Sequence, residues 1–176
     1  MPRAIFLVGF MGSGKNTVGQ ELARHLSWAF ADLDGQIESR EARSIPEIFS
    51  QNGEPYFRGV ETDTLRGLLA SLTRDTVVAL GGGAFAQDSN REMLRPWPTI
   101  FLEAPVHELW QRCLQHEAAD GAPRPLRGDR EQFVRRYNER LPFYRAATYT
   151  IATSGKSPAE ICREIGHTLQ LDAAQR

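Results

Sequence analysis

The run Gly9-Phe10-Met11-Gly12-Ser13-Gly14-Lys15-Asn16-Thr17 restricts this chain more than any other feature. It follows an apolar run, Ala4 to Val8, and precedes a helical pattern. Glycine, four residues, glycine and lysine, set between a strand and a helix, is the spacing of a phosphate-cradling loop. Glycines let successive backbone N–H groups curl around an anion where a Cβ would obstruct them. The following helix points its positive end at the same anion. Lys15 then reaches the outer phosphates as a mobile point charge. Gly12, Ser13, Gly14, Lys15, Asn16 and Thr17 are therefore the candidate nucleotide contacts. The motif calls for Ser or Thr after the lysine, where a hydroxyl ligates Mg²⁺; this chain has Asn16.

Such a loop needs a parallel sheet behind it, and the rest of the chain supplies one. Four further apolar runs read as strands: Phe30 to Asp34, Thr76 to Leu80, Thr99 to Leu102, and Tyr149 to Ala152. Helical patterns lie between them, so the chain reads as α/β, a five-stranded parallel sheet covered on both faces. Val18, Leu22, His25 and Leu26 form one stripe on the helix after the loop. Ser44-Ile45-Pro46-Glu47 and Ser157-Pro158-Ala159-Glu160 are capping boxes with proline at the first helical position. Further patterns cover Glu54 to Leu72, Val106 to Leu114 and Arg130 to Arg145. His116 to Asp129 lacks apolar period and reads as a loop, of a length that suggests a lid.

Bulk properties exclude other classes. At 176 residues one domain is expected. A net charge of −1 gives no basic field for nucleic acid. No apolar run approaches the roughly 20 residues that span a membrane. The chain enters its first strand almost at once, so no secretory leader is expected. Cys113 and Cys162 lack ligand spacing and read as reduced thiols of a cytoplasmic protein. No histidine pair has metal-ligand spacing, and Trp28, Trp97 and Trp110 read as packing residues.

In open α/β sheets ligands sit at the carboxyl ends of strands. Beside the phosphate loop, that rule selects Asp32 and Asp34 after the second run and Gly81-Gly82-Gly83 after the third. The carboxylates can diverge there, one toward a metal and one toward a substrate hydroxyl, although an aspartate before a helix also reads as an N-cap. The glycines let backbone approach a ligand closely. Among the arginines, Arg124 stands out because prolines flank it in the lid-like loop; spacing alone does not promote Arg58 or Arg140.

Taken together, Gly9 to Lys15, Asp32-Leu33-Asp34, Glu54-Pro55-Tyr56-Phe57-Arg58, Leu80 to Ala84, Arg124-Pro125-Leu126 and Arg140-Leu141-Pro142-Phe143-Tyr144 resemble the shikimate kinase family, of the nucleoside-monophosphate-kinase-like P-loop class. The resemblance implies a single three-layer α/β/α P-loop kinase domain over residues 1–176. It would carry a mobile lid at about 116–129 and a substrate-binding helical region at about 35–62. It implies ATP-dependent phosphorylation of the shikimate 3-hydroxyl, with Mg²⁺, by a cytoplasmic monomer. Asp34, Arg58, Gly81, Gly82, Gly83 and Arg140 would hold shikimate, the arginines gripping its carboxylate and Asp34 meeting the reacting hydroxyl. Lys15 and Arg124 would flank the γ-phosphate, Arg112 would lie against adenine opposite the Ser154 to Pro158 segment, and Asp32 would act on Mg²⁺. Lys15, Asp34 and Arg124 would carry catalysis, and Asn16 with Asp32 would make up the metal site. The alternatives are a kinase of another polyol acid such as gluconate, and a nucleotide-binding relative with impaired turnover.

The chain departs from the family at two places. Asn16 replaces the hydroxyl residue, and Thr17 is no simple substitute, since one helical step rotates it about 100°. An asparagine carbonyl is still a hard oxygen, but it sits one atom further out. Weaker metal affinity with surviving chemistry is the expectation. The loop before Arg124 is also a few residues longer than usual.

Overall fold

The central strand sorts the molecule into layers. In β1 (Ala4–Val8) every residue is buried. Ala4, Phe6 and Val8 join one core cluster, while Ile5 and Leu7 join another. Strand side chains alternate between faces, so the two clusters lie on opposite sides of the sheet. The computed structural model describes residues 3–120 and 130–171. Within them β1, β2 (Ala29–Asp32), β3 (Thr76–Ala79), β4 (Thr99–Glu103) and β5 (Tyr149–Ala152) form one sheet in the order β2-β3-β1-β4-β5. Every pairing is parallel.

On the Ile5 and Leu7 face lie α1 (Lys15–Leu26) and α7 (Pro158–Thr168), through Val18, Leu22, Ile161 and Ile165. The other face carries α2 (Leu33–Glu41), α3 (Ile45–Ala70), α4 (Asp88–Leu94), α5 (Val106–Asp120) and α6 (Arg130–Tyr144). This is the expected three-layer arrangement. Strand order reverses at β1, whose neighbours β3 and β4 leave a crevice at their carboxyl ends. Such switch points hold ligands.

Local chemistry explains the element ends. Ser44 and Ser157 each accept from the N3 backbone while Glu47 and Glu160 reach back, completing both expected capping boxes. The long third helix breaks at Gly53, with φ 81° and ψ 174°, and resumes at the Glu54-Pro55 start read from sequence. Proline is tolerated there because its missing N–H falls in a first turn.

Four expectations need correction. The second strand ends at Asp32, and Leu33 and Asp34 open α2. Asp32 is its N-cap and accepts from the Asp34 N–H, a local bond that favours helix over continued strand. The fifth helix continues through Asp120, so His116 to Asp120 is helical rather than loop; the remaining lid residues, 121–129, lie outside the described residues. His25 is exposed in the last turn of α1 rather than part of its apolar stripe. Finally, the 3₁₀ turn Ala84–Ala86 and α4 had no counterpart among the expected elements. The tryptophans do pack as expected, Trp110 edge-on to Phe133 and Trp97 near Phe6.

Candidate active site

The loop after β1 has the backbone that its glycines predict. Gly9, Gly12 and Gly14 have φ of 153°, 80° and 86°, conformations that L side chains rarely adopt. A Cβ on Gly12 would also stand 2.9 Å from the Leu109 carbonyl oxygen. Gly14 caps α1, so the helix N-terminus opens onto the loop. Lys15 folds back over it, its Nζ donating to the Gly9 and Phe10 carbonyls at 2.8 and 3.0 Å and to Ser13 Oγ at 3.4 Å. Burial lowers the Lys15 pKa to about 8, against the pull of Asp34 and Asp32. Among the described residues this part-buried ammonium donates to neutral oxygens alone.

Asn16 and Asp32 meet. The Asn16 Nδ2 donates to Asp32 Oδ2 at 3.1 Å, while Asp32 Oδ1 accepts from the Asp34 N–H at 3.2 Å. Because a carboxylate only accepts, the amide nitrogen must face it, and the Asn16 carbonyl oxygen is left without a donor among the described residues. Thr17 is exposed beside it on α1.

Crowding rather than unusual φ explains Gly81 and Gly83, while Gly82 has ordinary contact distance to Arg140. None of Gly81, Gly82 and Gly83 has positive φ. An added Cβ on Gly81 would lie 2.5 Å from Asp34 Oδ1, one on Gly82 3.4 Å from Arg140 Nη1, and one on Gly83 2.5 Å from Arg58 Nη1. The three glycines thus form the floor on which Asp34, Arg140 and Arg58 converge. Sequence separates these side chains by up to about a hundred residues, and the fold brings them to one patch beside the phosphate loop.

Electrostatics within this patch are unusual. Burial, then the charges of Glu61 and Asp32, push Asp34 up to about 6, against the attraction of Lys15. Burial likewise raises Glu61, opposed by Arg58 and Arg140. Glu61 is 1% exposed; its Oε2 takes Arg58 Nη1 and Gln87 Nε2, both at 2.8 Å. Its Oε1 has no partner among the described residues. Buried carboxylates of this kind, crowded by like charge, cluster at functional sites.

Sequence reading missed Glu61, Gln87, Glu108 and Tyr144. Glu61 stands three residues after Arg58 and Tyr144 four after Arg140, spacings that place each pair on one helix face, which was the available signal. Glu108 accepts from Arg112 Nη2 at 3.3 Å and from the Ser154 hydroxyl, linking the two walls expected around adenine. Arg112 Nη1 also donates to the Gly12 carbonyl at 3.3 Å, so it lies against the phosphate loop. Arg124 lies outside the described residues. The described residues hold no cluster of three or more His, Cys, Asp or Glu fit for a metal.

A family model described as "Shikimate kinase" matches residues 11–170. A shikimate kinase from Persephonella marina is 39% identical over 164 residues, 93% of this chain and 96% of that protein. A structure of shikimate kinase from Acinetobacter baumannii in complex with shikimate aligns with a TM-score of 0.85 and 36% identity, covering 100% of this chain and 97% of that one. The shikimate kinase of Aquifex aeolicus aligns with a TM-score of 0.81 and 34% identity, over 97% of this chain and 98% of that one.

Proposed function

The chain belongs to the shikimate kinase family, and from that premise we propose that it transfers the γ-phosphoryl group of ATP to the 3-hydroxyl of shikimate, giving shikimate 3-phosphate and ADP. The observation that carries this reading is the convergence of Asp34, Arg58 and Arg140 on the glycine triplet, next to a phosphate-binding loop. A patch with two guanidinium groups suits a carboxylate, and Asp34 beside them suits a hydroxyl.

Phosphoryl transfer asks mainly for positioning and charge stabilisation. The amides of Gly12, Ser13 and Gly14 and the end of α1 hold the β-phosphate, with Thr17 on the first turn of that helix. Lys15 exchanges its carbonyl partners for the γ-phosphate, and Arg124, outside the described residues, would neutralise charge on the transferring group. Arg112, propped by Glu108, faces adenine. Arg58 and Arg140 grip the shikimate carboxylate, with Gly81, Gly82 and Gly83 beneath the ring. Asp34 orients the 3-hydroxyl, whose oxygen forms the new bond to phosphorus as the bond to ADP breaks. Its proton passes to the Asp34 carboxylate. A carboxyl pKa near 6 suits that role, since the group is ionised at neutral pH yet basic enough to accept late.

The donor set fits Mg²⁺. Magnesium takes hard oxygens, uses one or two carboxylates and draws its other ligands from phosphates and water. Asp32 offers a carboxylate fixed from both sides, and among the described residues no donor engages the Asn16 carbonyl oxygen. When bound, the ion neutralises charge on the β- and γ-phosphates. The loss of the usual hydroxyl at position 16 therefore does not by itself imply a dead enzyme.

No helix among the described residues is long and apolar enough to cross a membrane. A net charge of −1 offers no basic field for nucleic acid, which supports a reading in which the chain's partners are small molecules. ADP release measured with shikimate and with gluconate as alternative acceptors tests the substrate. Turnover on shikimate alone is expected; equal or greater turnover on gluconate would reassign it.

A further inference from the structure

One fully buried group in the patch has no part in the scheme above. Tyr144, at the end of α6, is 0% exposed and stacks on Phe101, ring centroids 5.3 Å apart. Its hydroxyl donates to the Gly82 carbonyl oxygen. Burial pushes this phenol up to about 12, with the charge of Arg140 and a hydrogen bond from it opposing, so the hydroxyl keeps its proton at any working pH.

The acceptor is unusually placed. The Gly82 carbonyl belongs to the peptide that joins Gly82 to Gly83. Arg140 stands against the first of these glycines and Arg58 against the second. The peptide therefore lies between the two guanidinium forks. A trans peptide is planar, so fixing its carbonyl fixes the opposite direction of the Gly83 N–H. That N–H donates to no described group. Glycine backbone would otherwise be free to rotate, because no side chain restrains it. A rigid aromatic ring, clamped in the core, is anchored to the one peptide that both arginines flank.

We propose that Tyr144 is a positioning residue for the anionic end of the acceptor substrate: its hydroxyl locks the Gly82–Gly83 peptide so that the Gly83 N–H and the Arg58 and Arg140 forks form one carboxylate seat. The proposal rests on the reading of the patch as the shikimate site. It assigns Tyr144 no contact with substrate and no share in the chemistry. It also gives the glycine triplet a second requirement beyond space, a fixed peptide orientation.

Tyr144→Phe tests it, since phenylalanine keeps the ring and its stacking and removes the hydroxyl, with its bond to Gly82 and its contact with Arg140. Calorimetric titrations would use the full chain with shikimate, with shikimate methyl ester and with ADP–Mg²⁺. Expected is an affinity for shikimate weaker by about fivefold to tenfold, the scale of one lost hydrogen bond. The methyl ester should lose less, so that the preference for the acid over the ester shrinks, and ADP affinity should be unchanged. Unchanged shikimate affinity would overturn the proposal, as would parallel loss of acid, ester and ADP, which marks a general loosening. If the unmodified protein bound ADP but no shikimate, the reading of the site would fail instead. A measurement without substitution is independent of folding. The buried phenolic proton of Tyr144, observed by NMR, should shift on adding shikimate and stay in place on adding ADP; the reverse pattern contradicts the proposal.

Discussion

The Asn16 side-chain amide donates to Asp32 Oδ2 across 3.1 Å, tying the first turn of α1 to the tip of β2. A serine hydroxyl at position 16 would be a shorter ligand, whereas on the proposed reading the asparagine would divide the work. Its nitrogen holds the carboxylate and its carbonyl would be left for an ion. The reach is one atom longer, and magnesium tolerates little distortion. Asn16→Ser should therefore lower the Mg²⁺ concentration needed for half-maximal rate and for half-maximal ADP binding. Asn16→Ala should raise both, as Asp32 loses a restraint. An identical Mg²⁺ requirement in all three proteins would reject the division of roles.

Arg58, half-buried, pairs with the buried Glu61, and Arg140 stands across Gly82 from them. If these arginines grip the acceptor as proposed, removing either would leave a substrate carboxylate short of a partner, a loss of about 2–5 kcal/mol in binding. Arg58→Ala and Arg140→Ala should weaken shikimate binding by that amount, roughly 30-fold or more, and spare ADP binding. Calorimetry that found equal shikimate affinity would withdraw both assignments. Glu61→Gln should also weaken shikimate binding, because the Arg58 fork loses the carboxylate that aims it.

Gly83→Ala is a steric probe of the same patch. Gly83 has φ −104° and ψ −8°, which alanine adopts without strain. Its new methyl would sit 2.5 Å from Arg58 Nη1, so the fork must move. The expected signature is a raised KM for shikimate with an unchanged melting temperature. A large drop in melting temperature would mean that the glycine serves the backbone instead.

Asp34 links activity to stability. Its carboxyl titrates near 6 when folded against 3.8 unfolded, so the folded state binds the proton more tightly. The stability this contributes is fully present below the unfolded value and is lost as pH rises toward 6. At neutral pH the ionised form thus costs the fold on the order of 1–3 kcal/mol. Asp34→Asn removes that cost. It should melt higher than the parent at pH 7 to 8, lose the advantage near pH 4, and release almost no ADP with shikimate. For the parent, kcat/KM should fall with acid below about pH 6. On the alkaline side kcat/KM for ATP should fall above about pH 8, where Lys15 loses its proton. A flat profile from pH 5 to 7 would remove Asp34 as the proton acceptor.

Sequence periodicity and motif spacing predicted most of the frame. The phosphate loop, both capping boxes and the last strand were legible because each depends on interactions within a few residues. Leu33 and Asp34 were misplaced because an apolar residue between aspartates suits a strand end and a helix start alike. Only the bond from the Asp34 N–H to Asp32 decides between them. The α4 helix was hidden by its seven residues, of which Asn90 and Leu94 alone are buried, too few to set a period. The site itself was harder. Asp34, Arg58, Gly82 and Arg140 could be named from family resemblance, but nothing local said that the glycines touch those three side chains. Tyr144 escaped for the same reason, since its partner Gly82 lies far along the chain, and Glu61 had only its spacing from Arg58 to mark it.

The most direct measurement is a crystal structure of the protein with ADP, Mg²⁺ and shikimate bound together. Expected are the β-phosphate within the Gly9 to Lys15 loop, the shikimate carboxylate between Arg58 and Arg140, and the 3-hydroxyl within hydrogen-bond reach of Asp34. Shikimate bound away from the glycine triplet, or turned so that its carboxylate met neither arginine, would contradict the assignment of this patch as the acceptor site.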